Sequence, residues 1–339
     1  ETISDFGTVE FLAVETITLG IFNLWLGMNN FSAASQLSIL AFTFIVVLLG
    51  IELSARKNQK FNDPRVSSFE NKFDEINLKQ NIILLSICLI PIIFGFIIPV
   101  LILINLSLQS LNQDNFSTFL EISINSISIS FFGAFLIILF SFIIVVAVKY
   151  HGGKKFAFLS TLAGSGYAFP GVILALGTTF FLSLVQDSIN TFFITFDVNW
   201  NLTIIGTFTA LLYTYICRFN AIGIGYINSG IQRISPNLLE AGRLQGVSFE
   251  KSLFKIIFPL IRPSILTGFL IIFVDIIKEL PVTLLLRPFN FETLATYVYQ
   301  YAKEEMLEQC ALAALLIIII GIVPVIVLNK VINLSYKKQ

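Results

Sequence analysis

Ser235-Pro236-Asn237-Leu238-Leu239-Glu240-Ala241-Gly242-Arg243-Leu244-Gln245-Gly246, running on to Ile256-Ile257-Phe258-Pro259, is a polar stretch set between hydrophobic ones. Its residues read as two short helices. Ser235 is a good N-cap, Pro236 suits the first helical position, and Gly246 supplies a stop. Ser248 can cap a second helix, with Glu250 in its first turn, running toward Pro259. From the residues alone two readings stand open. One is a docking helix whose apolar stripe enters a groove on a partner, with Ala241 and Gly242 small enough for close approach. The other is an interfacial amphipathic loop in which Glu240 pairs with Arg243 at i+3.

The surroundings of that stretch are hydrophobic throughout. The chain has 339 residues, 56% hydrophobic and only 12% charged, with a mean hydropathy of +0.86. A soluble domain carries about 25% charged residues, so lipid is the main solvent. The zero formal net charge gives no footing for nucleic acid. Cys88, Cys217 and Cys310 fall in or beside separate apolar runs and make neither a disulfide framework nor a metal spacing. They read as small hydrophobes. His151, the one histidine, sits in a Gly-Lys loop and reads as solvated.

A spanning helix needs roughly 20 apolar residues. Candidate spans are 33–51, 81–107, 123–148, 161–185, 200–218, 264–286 and 310–329. The 161–185 span contains Gly164, Gly166, Pro170 and Gly171, which predicts a kinked helix packed closely on its neighbours. Of the 21 Lys and Arg residues, those at 52–80, 149–160, 218–263 (Arg218, Arg233, Arg243, Lys251, Lys255, Arg262) and the tail fall on every second connection. By the positive-inside rule those connections, including the long 218–263 loop and the C-terminus, are cytoplasmic. The expected fold class is all-α: a polytopic membrane helix bundle with about seven complete transmembrane helices.

The chain also contains a weak internal repeat. Glu1-Thr2-Ile3-Ser4-Asp5-Phe6-Gly7 parallels Asp275-Ile276-Ile277-Lys278-Glu279-Leu280-Pro281, and Glu15-Thr16-Ile17 parallels Glu292-Thr293-Leu294. In each copy a small-residue start (Ala33-Ala34; Ala311, Ala313-Ala314) opens a long apolar helix. Duplicated halves are common in transporters. The second copy is preceded by five helices and the polar loop, the first by nothing, and the chain opens on Glu1. The expectation is a piece lacking most of its first half: 1–52 as the end of half one, 53–80 as a cytoplasmic linker, and 81–339 as half two with a cytoplasmic loop at 219–263.

Glu240-Ala241-Gly242, three residues, Gly246, nine residues, then Ile256-x-Phe258-Pro259 resembles the EAA signature of binding-protein-dependent ABC importer permeases of type I. Gly242 stands for the third alanine and Phe258 for leucine. The resemblance implies a coupling helix that docks on a cytoplasmic ATP-binding subunit, acting as a dimer, through Glu240, Ala241, Gly242, Gly246, Ile256 and Pro259. It also implies a periplasmic solute-binding protein as partner and the bacterial inner membrane as location. Gly166-Tyr167-Ala168-Phe169-Pro170-Gly171, Lys278-Glu279-Leu280-Pro281, the run from Thr283 to Phe289, and Asp5-Phe6-Gly7-Thr8-Val9 resemble the ferric-iron permease subgroup. Its members are single chains of two fused halves. The implied function is ATP-driven import of iron(III). The alternatives are a related permease for thiamine, polyamine, sulfate or phosphonate, and, outside that class, a passive channel or membrane enzyme.

Asp275, Lys278 and Glu279 lie on a predicted span, at i+3 and i+4 spacings that place them on one face, where unpaired charge is expensive. With Asp5 in the other copy, they are candidates to line a translocation path for a hard cation that prefers oxygen ligands. The competing reading is a structural ion pair, Lys278 with Asp275 or with Asp5. No G-x-x-x-x-G-K-[ST] sequence occurs, so ATP chemistry belongs to another subunit. Gly223-Ile224-Gly225 lacks a third glycine in place. A single histidine leaves no HExxH or Ser/His pairing, so no catalytic residue, cofactor or resident metal site is expected.

Overall fold

The computed structural model describes residues 5–57, 78–110, 116–196, 201–235, 238, 244 and 247–336, and these are helical with connecting turns and loops. The chain runs through α1 (Gly7–Phe11), α2 (Ile17–Phe22, continued by a wide turn to Gly27), α3 (Phe31–Lys57), α4 (Leu78–Ile92), α5 (Ile98–Ser110), α6 (Phe116–Val146), α7 (Lys154–Ala163), α8 (Gly171–Thr195) and α9 (Phe208–Gln232). It closes with α10 (Phe249–Ser252), α11 (Phe258–Ile277), α12 (Pro281–Leu286), α13 (Leu294–Lys303) and α14 (Leu307–Tyr336). A wide π-type turn joins α4 to α5, and another joins α10 to α11.

Among the described residues six helices are long and apolar enough to cross a membrane: Phe31–Glu52, Ile82–Gln109, Phe116–Tyr150, Gly171–Thr195, Phe249–Ile277 and Leu307–Ile326. The seventh rod is α9. Its 25 residues reach about 37 Å at 1.5 Å per residue, enough to span. It fails on composition because it carries Arg218 and Asn220, both buried. Helix α9 packs on α6, α8 and α11, so its polar side chains face protein instead of lipid. Ser141 on α6 donates to Asn220 Oδ1 at 2.6 Å inside that contact, and Gly223 on α9 leaves the room that Ser141 fills. Small residues are how lipid-embedded helices approach closely.

Three expected spans shift. The 200–218 span is α9, starting at Phe208 and running on to Gln232. Arg218 is therefore a mid-helix residue, not a loop cation, and the connection after α9 is shorter than the expected 219–263. The 161–185 span is broken, not kinked: α7 stops at Ala163, Gly166–Ala168 make a single tight turn, and α8 restarts at Gly171 after Pro170. The 264–286 span belongs to a helix that begins at Phe249, passes Pro259 and Pro263, ends at Ile277 and restarts as α12. Ser248 does precede that helix, without a side-chain cap bond, and Glu250 is in its first turn. Pro259 and Pro263 lack the N–H of a continuing ladder, and the π-type turn Leu253–Ile257 widens the helix just before them.

The repeat is visible in backbone geometry. The order of short helix, turn, short helix, long helix occurs as α1–α2–α3 and again as α12–α13–α14. The described non-glycine residues with positive φ are Ala13, Asn29, Asn290 and Glu305. They form two pairs, 13 with 290 and 29 with 305, separated by 277 and 276 positions. Thr16 and Thr293, again 277 apart, each cap the following helix, accepting the N–H of Leu19 at 3.3 Å and of Thr296 at 3.4 Å. The two copies touch. Phe6 is buried in one cluster with Val172 and Leu176 of α8, against which Leu280 and Tyr299 pack.

Candidate functional site

Two helix breaks, Gly164–Pro170 and Lys278–Leu280, come together against the middle of α9. Gly166 lies so close to α9 that a Cβ there would overlap the Cys217 carbonyl. Gly171, the first residue of α8, lies under the Arg218 guanidinium and beside Glu279 Oε1. Gly166 thus lets the break approach the backbone of α9, and Gly171 clears room for a charge pair. Arg218 Nε stands 3.4 Å from Glu279 Oε2, with the side chains 11% and 6% exposed. That burial makes the pair expensive to open on one side only.

Glu279 is held a second time. Its Oε1 accepts the Val282 N–H at 3.2 Å, at the start of α12. Thr283 donates to the Glu279 carbonyl at 2.7 Å and shares a 2.6 Å hydrogen bond with the Tyr215 hydroxyl of α9. Helix α9 is therefore tied to the break by one ion pair and to α12 by one buried hydroxyl pair. By contrast, the Nε and Nη1 atoms of Arg218 are buried without a hydrogen-bond acceptor.

The candidate path residues are not one acidic face. Asp275 pairs with Lys278 at 2.9 Å, as the structural reading expected. Glu279 pairs with Arg218, a residue expected on the 218–263 loop. Asp5 is exposed and accepts the Thr8 N–H at 3.3 Å, so it caps α1. Among the described residues no group of three or more His, Cys, Asp or Glu gathers. Of the coupling residues, Glu240, Ala241, Gly242 and Gly246 lie outside the described residues. Ile256 and Pro259 are half-buried, Ile256 in the wide turn and Pro259 in the first turn of α11. Sequence reasoning missed Arg218. The signal available was an arginine at the centre of a 25-residue stretch rich in Gly, Asn and hydroxyls, a composition suited to a helix buried in protein.

A second polar cluster joins the repeats. Tyr299 on α13 donates to Glu10 Oε2 at 2.6 Å, and Lys303 reaches Glu10 Oε1 at 2.9 Å. Burial first, then the hydrogen bond to Glu10 and its charge, hold the Tyr299 hydroxyl well above its ordinary pKa of 10.0. A cavity of about 590 Å³ opens beside it, lined in part by Gly7, Lys278 and Leu280. A larger one of about 710 Å³, mostly apolar, lies between α3, α8 and α9.

Apolar rods around one polar central helix, with two helix breaks beside it and an internal repeat, define a multi-pass membrane protein. Residues 137–338 match the family described as binding-protein-dependent transport system inner membrane component, and the chain belongs to that family. It is 23% identical over 337 residues to the Fe(3+)-transport system permease protein FbpB 2 of Haemophilus influenzae, covering 96% of this chain and 62% of that protein. It is 26% identical over 166 residues to the ferric transport system permease protein FbpB of Actinobacillus pleuropneumoniae, covering 48% of this chain and 23% of that one. The chain thus spans less than two thirds of the length of these relatives. In fold it is similar to a chain of a bacterial alginate ABC transporter solved with an alginate pentasaccharide-bound periplasmic protein. The TM-score is 0.57 at 18% identity, over 74% of this chain and 94% of that one.

Proposed function

We propose that this chain is the membrane permease part of an ATP-driven importer of iron(III) delivered by a periplasmic binding protein. The observation that carries the reading is the family match over 137–338, which takes in the signature spacing from Glu240 to Pro259. The first part of that signature, Glu240 to Gly246, falls between α9 and α10. Its second part, Ile256 and Pro259, falls in the turn before α11 and in the first turn of α11, which packs on α9. With α9 counted as a seventh crossing, the basic clusters at 56–79, 149–155, 233–262 and 330–338 all fall on one face of the membrane. That face is the cytoplasmic one by the positive-inside rule, as is the C-terminus. Residues 1–52 close a first half, 53–80 link the halves and 81–339 form the second. Closure of an ATP-binding dimer moves the 233–248 connection, and α9 and α11 carry the movement inward. Iron as cargo rests on the two FbpB relatives.

The test is reconstitution of the full-length protein with its ATP-binding subunit and binding protein in proteoliposomes. ATP-dependent uptake of radiolabelled ferric iron is the expected result. Glu240→Ala and Gly246→Val should release the ATP-binding subunit on purification. Uptake of thiamine, a polyamine, sulfate or phosphonate in place of iron overturns the cargo, and retention of the subunit by both variants overturns the docking role.

A further inference from the structure

The point where Arg218 meets Glu279 has more cationic than anionic character. Helix α8 begins at Gly171, directly after Pro170, and no side chain caps it. Gly171, Val172 and Ile173 are buried, so the N–H groups that no helical carbonyl reaches face protein instead of water. The N-terminal end of a 25-residue helix carries a partial positive charge of about half a unit. Arg218, its side chain 11% exposed, lies against the same glycine. Its Nη1 has no hydrogen-bond acceptor, and its Nε has the 3.4 Å ion-pair contact with Glu279 alone. One carboxylate answers all of this. Glu279 approaches Arg218 at 3.4 Å and rests beside Gly171. The nearby acid Asp275 is taken by Lys278. A bare trivalent cation arriving here meets a guanidinium and a helix N-terminus before it meets an open oxygen ligand.

In secondary transporters the N-terminal ends of broken helices can face anionic groups on the solute, at the interface of the repeats, and the same electrostatics hold for any broken helix. Here α8 follows a break, and Gly7 of the first repeat abuts Leu280 of the second. We propose that this centre recognises an oxyanion: Glu279 is the resident anion of the state described, and a carboxylate or phosphate group on the passing solute takes its place against Arg218 and α8. Displacing Glu279 from Arg218 carries a cost, since the Val282 N–H is then the donor that holds its carboxylate, and the incoming anion has to meet it. The inference rests on the ferric-importer reading and sharpens it. The cargo is ferric iron carried with carboxylate or phosphate ligands, not the bare ion.

The experiment measures equilibrium binding of radiolabelled citrate, and separately of inorganic phosphate, to the purified full-length permease with its ATP-binding subunit. Glu279→Gln keeps the shape and the acceptor for Val282 but removes the competing charge. It should bind citrate or phosphate at least tenfold more tightly than wild type, and adding Arg218→Gln should return binding to background. Which anion gains tells a carboxylate-bearing cargo from a phosphate-bearing one. No gain in an E279Q protein that keeps its subunit and melting temperature overturns the proposal, as does a gain that survives Arg218→Gln. Wild type gives a reading that needs no variant. Citrate or phosphate should raise its melting temperature above that in chloride of equal ionic strength, and equality overturns the site. Iron uptake is scored apart: Arg218-dependent anion binding without iron uptake leaves the site standing and removes the ferric reading.

Discussion

Asp5 and Glu279 do the same work at equivalent points of two repeats: Asp5 Oδ1 accepts the Thr8 N–H at 3.3 Å, and Glu279 Oε1 accepts the Val282 N–H at 3.2 Å. Their surroundings separate them. Asp5 is exposed, whereas Glu279 is buried with Arg218 against it. Asp5→Ala should lose about 1 kcal/mol or less, the worth of an exposed cap. Glu279→Met should cost about 3 kcal/mol or more, because it strands a buried guanidinium. Melting of the two variants in detergent, side by side, checks the contrast; equal losses refute it.

The break before α8 should tolerate substitution according to what each glycine faces. A Cβ on Gly166 meets the Cys217 carbonyl, which is backbone and cannot rotate aside. Gly166→Ala should therefore destabilise by about 1–3 kcal/mol or more, the scale of overpacking. Gly177, six residues into α8, has nothing within 4 Å of its Cβ position. Gly177→Ala should be neutral or gain a few tenths, as alanine favours the helix. Expression level and melting temperature of both variants provide the measurement.

The sequence was most readable where lipid does the selecting. The Ile82–Gln109 run lies in the sequence as a span, with none of its most apolar window buried inside the protein, because lipid contact requires an unbroken apolar surface. Helix α9 was read in part, as the 200–218 span, for the opposite reason. Surrounded by α6, α8 and α11, it can carry Arg218, Asn220 and Thr214, and the polar residues from Arg218 onward ended the apolar run before the helix ends at Gln232. The break at Lys278–Leu280 was hidden too, since nothing local forbids helix there except Pro281, which equally suits a first turn. Residues alone found the repeat through Glu15-Thr16 and Glu292-Thr293, whose threonines are N-caps in both copies. The partner of Glu279 lies 61 positions away, between 218 and 279, and no local spacing rule reaches it.

The tie between repeats should weaken at alkaline pH. An acid whose folded pKa is raised supports the fold below its unfolded pKa and loses that support as pH climbs past it. For Tyr299 the unfolded value is 10.0, so the tie to Glu10 is intact through neutral pH and fades above about pH 10. Tyr299→Phe should cost about 1 kcal/mol at pH 7 and lessen the alkaline fall. Glu10→Gln should cost a similar amount and also release Lys303. Melting curves at pH 7 and at alkaline pH distinguish this from an inert surface contact, for which both variants would track wild type.

Replacing the buried pair as a unit separates its structural weight from its role in transport. Arg218→Met alone leaves Glu279 with the Val282 N–H and the start of α8, both favourable to a carboxylate. Glu279→Met alone leaves Arg218 with nothing anionic beside it, so the glutamate variant should be the less stable by about 1–2 kcal/mol. The double Arg218→Met, Glu279→Met variant removes both charges while keeping volume. Buried pairs replaced in this way by apolar side chains are often neutral or stabilising, and here only the cap on Val282 is lost, about 1 kcal/mol. The double variant should therefore melt near wild type and above the single Glu279→Met variant. If the centre serves only to hold α9 against α12, its uptake should also be near wild type. If it handles solute, uptake should fall at least tenfold in a protein that is folded and retains its ATP-binding subunit.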